Sequence, residues 1–209
     1  MAQSITSCVS RFTPAIGRLL FRLRSLTAIP FILILIYFSR PTLTSALVGA
    51  IPLILGEFLR LWAVGYAGGA TRSRSLGAAS DLVTTGPYAH VRNPLYLGNL
   101  LLSLGVCVIA NVYWMIIVLL VGYFVQYLPI IASEEAYLRD FCGPAYQTYY
   151  TAVPKFIPRL RSYANPSAHS FSFARALKAE KRTLTAIVCV VGLILGVGRL
   201  VHWFTGSLN

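Results

Sequence analysis

The stretch from 94 to 132 is apolar for almost its whole length, which is too long for one pass through a bilayer and about right for two, since a span takes about 20 residues. Three further runs meet or approach the same criterion, at 25–39, 43–65 and 183–204. The first is short, but Arg24 and Arg40 flank it and can extend their charged heads to the interfaces. A turn is required inside the long run, and Asn111 is its expected place. The runs therefore predict an all-α integral membrane helical bundle of about five transmembrane helices. Composition agrees: 56% of residues are hydrophobic and 11% charged, where soluble domains carry about 25% charged residues.

Charge gives the expected orientation. There are 18 Lys and Arg against 6 Asp and Glu, for a formal net charge of +12. In a soluble chain this excess would suggest nucleic acid. Here the basic residues collect before the first run, between the second and third, and between the fourth and fifth, which places those segments and the N-terminus in the cytoplasm. Residues 1–24 space arginines among apolar residues as an interfacial amphipathic segment does. Residues 25–160 then form the core, and 161–209 a basic linker with a last span. A cleaved leader is the alternative for the first run, but Arg40 and Pro41 stand between it and the small residues a protease would need. Cys8, Cys107, Cys142 and Cys189 are scattered without metal-type spacing, so no metal site is expected.

Two polar segments fall on the expected cytoplasmic side. One, at 68–93, is rich in Gly and Ser and ends in Tyr88, His90, Arg92 and Asn93. The other reads as a helix from about Ser133 to Tyr150, with Ser133 as its cap and Pro154 and Pro158 beyond its end. Pro129 is expected to kink the preceding span. A hairpin of the third and fourth spans would gather His90, Arg92, Asn93, Tyr96, Asn99, Glu134 and Glu135 at one mouth. Polar groups at membrane depth are costly unless paired or used, so that mouth is the expected functional pocket. Glu57 and Arg60, three apart in the second run, are expected to form an internal ion pair, with a polar anchor for a substrate as the alternative.

The blocks LVTTGPYAHVRNPLYLGNLL (82–101) and EEAYLRDFCGPAYQTYYTAVPKFIP (134–158) resemble the isoprenylcysteine carboxyl methyltransferase and phospholipid methyltransferase superfamily of membrane enzymes. The resemblance covers roughly residues 65–160. It implies S-adenosylmethionine as cofactor, in a cytoplasm-facing pocket built by the cytoplasmic helix and loops. It also implies a lipophilic small-molecule or lipidated acceptor and membrane lipids, not nucleic acid, as partners. Carried over by position, Ser80, Asp81, Leu82 and Val83 line the cofactor, Tyr88 contacts it, and Asn93, Pro94, Leu95 and Tyr96 stand where the family has His-Pro-x-Tyr. Glu134 holds the methionyl ammonium, and Glu135 or His90 is available to accept a proton. Two positions depart from the pattern. Asn93 replaces a histidine, and Ile130 stands where prenylcysteine methyltransferases have a substrate-binding arginine, which favours a different lipophilic acceptor. A membrane NADPH-dependent sterol-type reductase and a non-catalytic scaffold are the rival readings.

Overall fold

The computed structural model describes residues 19–21, 23, 26–67 and 82–206, with side chains through 197. Most of the expected N-terminal amphipathic segment, and Ser80 and Asp81, lie outside the described residues. Among the described residues all regular structure is helical. The helices are α1 (Leu26–Phe38), α2 (Leu43–Ala67), α3 (Pro94–Ile109), α4 (Trp114–Cys142), α5 (Pro144–Ala152) and α6 (Phe173–Gly206), with a single 3-10 turn at Gly86–Ala89. By length and composition α2 and α4 can cross a membrane, while α1 and α3 are shorter apolar helices. The outward faces of the two long helices carry exposed Leu47, Ile51, Ile54 and Phe58, and Ile117, Val121 and Val125. Water would disfavour such faces and hydrocarbon would not.

Both turns at one end of the bundle are tied together. Arg40 donates its backbone N–H to the Ala110 carbonyl at 2.9 Å, and Asn111 Nδ2 donates to the Arg40 carbonyl at 3.0 Å. Asn111 has φ 59°, a left-handed conformation that asparagine tolerates better than most residues, and it breaks the long apolar run as expected. Above this end Leu35, Cys107, Met115, Leu119 and Ile194 form a buried core shared by α1, α3, α4 and α6.

Helices α2 and α3 approach through glycine. A Cβ on Gly56 would stand 2.7 Å from the Gly98 carbonyl oxygen, and one on Gly105 would stand 2.8 Å from the Gly49 carbonyl oxygen. Backbones this close leave no room for larger residues, as in other small-residue helix contacts in membranes.

The helix expected over 133–150 takes a different form. Helix α4 runs unbroken through Ser133, which is not a cap: its hydroxyl donates to the Pro129 carbonyl one turn earlier, at 2.8 Å. The break comes at Gly143, with φ 55°, and α5 begins at Pro144. From Val153 onward the chain lacks helix until α6 and crosses the turn before α3. Arg92 N–H donates to the Pro154 carbonyl at 2.8 Å, Arg159 N–H to His90 at 3.0 Å, and Tyr163 N–H to Ala89 at 3.0 Å. Thr84 and Ser167 exchange hydrogen bonds, and Ser172 N–H reaches the Gly65 carbonyl at 3.0 Å. Residues 153–172 thus strap the end of α2 to the turn.

Candidate functional site

The end of the bundle opposite the Asn111 turn brings together the Gly86–Ala89 turn, the start of α3, the end of α4, α5 and the strap. Pro94 opens α3 at its first turn, where a missing N–H costs nothing, and is fully buried. This fixes Asn93 and Tyr96 on either side of the helix start.

Glu134 and Glu135 sit here with different partners. Glu135 is buried: its Oε1 accepts from Arg92 Nε at 3.1 Å and Asn93 Nδ2 at 3.4 Å, and its Oε2 faces Lys155 Nζ at 3.2 Å. Arg92 also donates to the carbonyls of Tyr150 and Val153, and its guanidinium lies 4.0 Å from the Tyr150 ring centroid. Glu135 is therefore the hub joining α3, α4, α5 and the strap. Glu134 is half-buried and accepts the Tyr96 hydroxyl at 2.9 Å. Tyr123 of α4 donates to the Tyr96 carbonyl, and the Tyr96 and Tyr127 rings meet at 5.3 Å. The helix pair is thus joined at the residue that touches Glu134.

Tyr88 lies in the turn, and its carbonyl accepts the Tyr149 hydroxyl at 2.8 Å. Burial pushes the Tyr88 hydroxyl well above its ordinary range; the nearby Glu134 charge adds to this, and Arg60 opposes it. Tyr88 is consequently a neutral group beside Glu134. His90 Nδ1 stands 2.9 Å from the Arg159 carbonyl, which can only accept, so Nδ1 carries the proton and the ring ties the turn to the strap. Leu82 packs against Tyr146, Tyr149 and Val153. Leu82 and Val83 lead into the turn, and Leu95 is half-buried in the first turn of α3.

The structure therefore gathers Tyr88, His90, Asn93, Pro94, Tyr96, Glu134 and Glu135 at one end, with Leu82, Val83 and Leu95 alongside. The Asn93 amide points to Glu135 and to the Lys155 carbonyl at 3.4 Å. His90 and Glu135, expected as proton acceptors, are both engaged in holding segments together. Two participants were missing from the sequence reading. Lys155 is the second cation on Glu135, and Glu180 of α6, fully buried, pairs with Arg60 at 2.7 Å. The signal for Glu180 was its rarity, since only six acidic residues occur and this one stands just ahead of the last apolar run, with Lys181 and Arg182 between. The expected Glu57–Arg60 contact exists but is longer, at 3.9 Å.

Comparison with known proteins adds to this geometry. A family model described as phospholipid methyltransferase matches residues 44–144. The nickel-cobalt-cadmium resistance protein NccN of Alcaligenes xylosoxydans xylosoxydans is 31% identical over 134 residues, covering 62% of this chain and 59% of that protein. The cobalt-zinc-cadmium resistance protein CzcN of Cupriavidus metallidurans is 32% identical over 130 residues, 61% of this chain and 56% of that protein. Protein-S-isoprenylcysteine O-methyltransferase of Schizosaccharomyces pombe is 35% identical over 112 residues, 51% of this chain and 46% of the yeast protein. The chain thus spans about half to three-fifths of the length of these relatives. No solved structure matches it.

Proposed function

We propose, from the chain's membership through residues 44–144 of the isoprenylcysteine carboxyl methyltransferase and phospholipid methyltransferase superfamily, that it transfers a methyl group from S-adenosylmethionine to a lipophilic acceptor. The observation that carries the reading is Glu134. It is a half-buried carboxylate oriented by the Tyr96 hydroxyl, inside the matched segment and where the turn, α3 and α4 converge. The metal-resistance names of NccN and CzcN belong to those proteins; the reading for this chain rests on the family match and the yeast relative.

The donor set suits the cofactor. A carboxylate in a partly desolvated setting fits the methionyl ammonium, and a neutral, half-buried tyrosine, with apolar Leu82 and Val83 leading into its turn, fits an aromatic base. When bound, the cofactor supplies its sulfonium methyl as the electrophile. The protein's part is then to fix the two reactants in line and to exclude water. Glu134 orients the ammonium, Tyr96 holds Glu134, and the Glu135 hub holds the strap closed over the turn. We read Glu135 and His90 as structural in this arrangement, with the acceptor entering from the bilayer beside α3 and α4. The same reading has α1, α2, α3, α4 and α6 as five spans, with the site and the N-terminus on the cytoplasmic side, as the arginine distribution implies.

Thermal unfolding of the detergent-purified chain with S-adenosylmethionine, S-adenosylhomocysteine and NADPH in parallel tests the proposal. Stabilisation by the two adenosyl compounds is expected. Stabilisation by NADPH alone would favour the reductase and end this reading.

A further inference from the structure

Arg60 lies near the site end of α2, and its stem runs flat across α3: a Cβ on Gly98 would stand 2.5 Å from Arg60 Cγ. Beyond Gly98 the guanidinium donates to Asn99 Oδ1 of α3, to Glu180 Oε2 of α6 at 2.7 Å, and to Thr183 Oγ1 at 3.2 Å. Glu180 is 0% exposed, so this contact is desolvated on the carboxylate side. A buried ion pair contributes little net stability compared with apolar packing, so stability alone is a weak reason for this one. Its surroundings supply a better reason. Asn99 lies one turn beyond Tyr96 on α3, and Tyr96 is the hydroxyl donor to Glu134. Arg60 and Glu134 both act electrostatically on Tyr88. A guanidinium and the carboxylate proposed to bind a cation therefore share one neighbourhood.

We infer that Glu180 is a positioning residue: it holds the Arg60 guanidinium toward α6 and so keeps that cation from competing with the cofactor ammonium for Glu134. The inference rests on the role proposed for Glu134. It makes α6, which lies outside the segment matched by the family, a working part of the site. Removing the Glu180 charge frees the guanidinium from α6 and leaves it with Glu57 at 3.9 Å and with Asn99, one turn from the Tyr96 that holds Glu134.

The test is calorimetric binding of S-adenosylhomocysteine to the full chain in lipid nanodiscs, for wild type, Glu180→Gln, Arg60→Gln and the double variant. Glu180→Gln should bind about tenfold more weakly, of the order of one charged hydrogen bond. The double variant should recover to within about threefold of wild type, because the competing cation is gone, and Arg60→Gln alone should bind at least as well as wild type. A purely structural pin predicts the reverse, with the double variant no better than Glu180→Gln. If wild type binds and Glu180→Gln matches it, or the double variant shows no recovery, this inference fails while the methyltransferase reading stands. If wild type binds no S-adenosylhomocysteine, that reading falls and takes the inference with it. Should Glu180→Gln not fold, Arg60→Gln decides alone, and weaker binding by that variant overturns the inference.

Discussion

Replacing Glu135 by glutamine removes the charge that Arg92 and Lys155 both meet, at 3.1 and 3.2 Å, and leaves Arg92 buried without it. Breaking a buried pair in this way costs about 3–5 kcal/mol, and less where one partner is part-exposed, as Lys155 is. Glu135→Gln should therefore lower the unfolding midpoint in detergent markedly. An unchanged midpoint with a shifted pH profile of turnover would return Glu135 to the role of proton acceptor. Glu134→Gln should act oppositely, with a small change in stability and S-adenosylhomocysteine binding weakened by about 1.5–3 kcal/mol in calorimetry. The sequence made the adjacent acidic pair conspicuous but could not divide their roles. That division depends on Lys155, twenty residues later, and on Arg92, which arrive only through folding. The Arg60–Glu180 pair was less legible still, because the partners are 120 residues apart and neither position predicts the other.

At the scale of elements, the α2–α3 contact depends on backbone approach. Gly56→Ala would place a methyl group 2.7 Å from the Gly98 carbonyl oxygen and 2.8 Å from the Leu102 nitrogen, both immobile. A loss of about 1–3 kcal/mol, measured by denaturant unfolding, is expected. Gly192→Ala, with nothing within 4 Å of the added Cβ, serves as the neutral control. Helix α5 gives a pH prediction. Burial raises the Tyr146 and Tyr149 hydroxyls above their ordinary value of 10.0, so the folded state keeps protons that the unfolded chain has begun to lose. Their contribution is complete below pH 10.0 and declines as pH rises through the higher folded values. Tyr146→Phe should make the alkaline fall in stability shallower. The turn at Asn111 could be read in advance because asparagine is one of few residues suited to it. The end of α4 could not, since Ser133 and Pro129 resemble a helix boundary and the actual boundary rests on one glycine with positive φ. The prolines after α5 marked where helix ends but not the path of the strap, which is set by backbone hydrogen bonds that side-chain patterns do not encode.

For the whole molecule, the apolar runs and the hairpin were legible because hydrocarbon imposes a length and an outward chemistry on every helix it contains. The proposed five-span orientation puts the strap and the Arg40 turn on opposite sides of the membrane. In a cysteine-free background, a single cysteine at Thr42 should react with an impermeant maleimide in intact cells and one at Asn165 should not; the reverse pattern would invert the topology. The central claim concerns chemistry at the other end of the bundle. Its most direct measurement is the transfer of a labelled methyl group from S-adenosylmethionine into lipid-extractable product by membranes carrying wild type or Glu134→Gln. Label should enter the extract with wild type and fall at least about tenfold with the variant at sub-saturating cofactor. Equal transfer by both, or none by wild type while NADPH is consumed, would contradict the account.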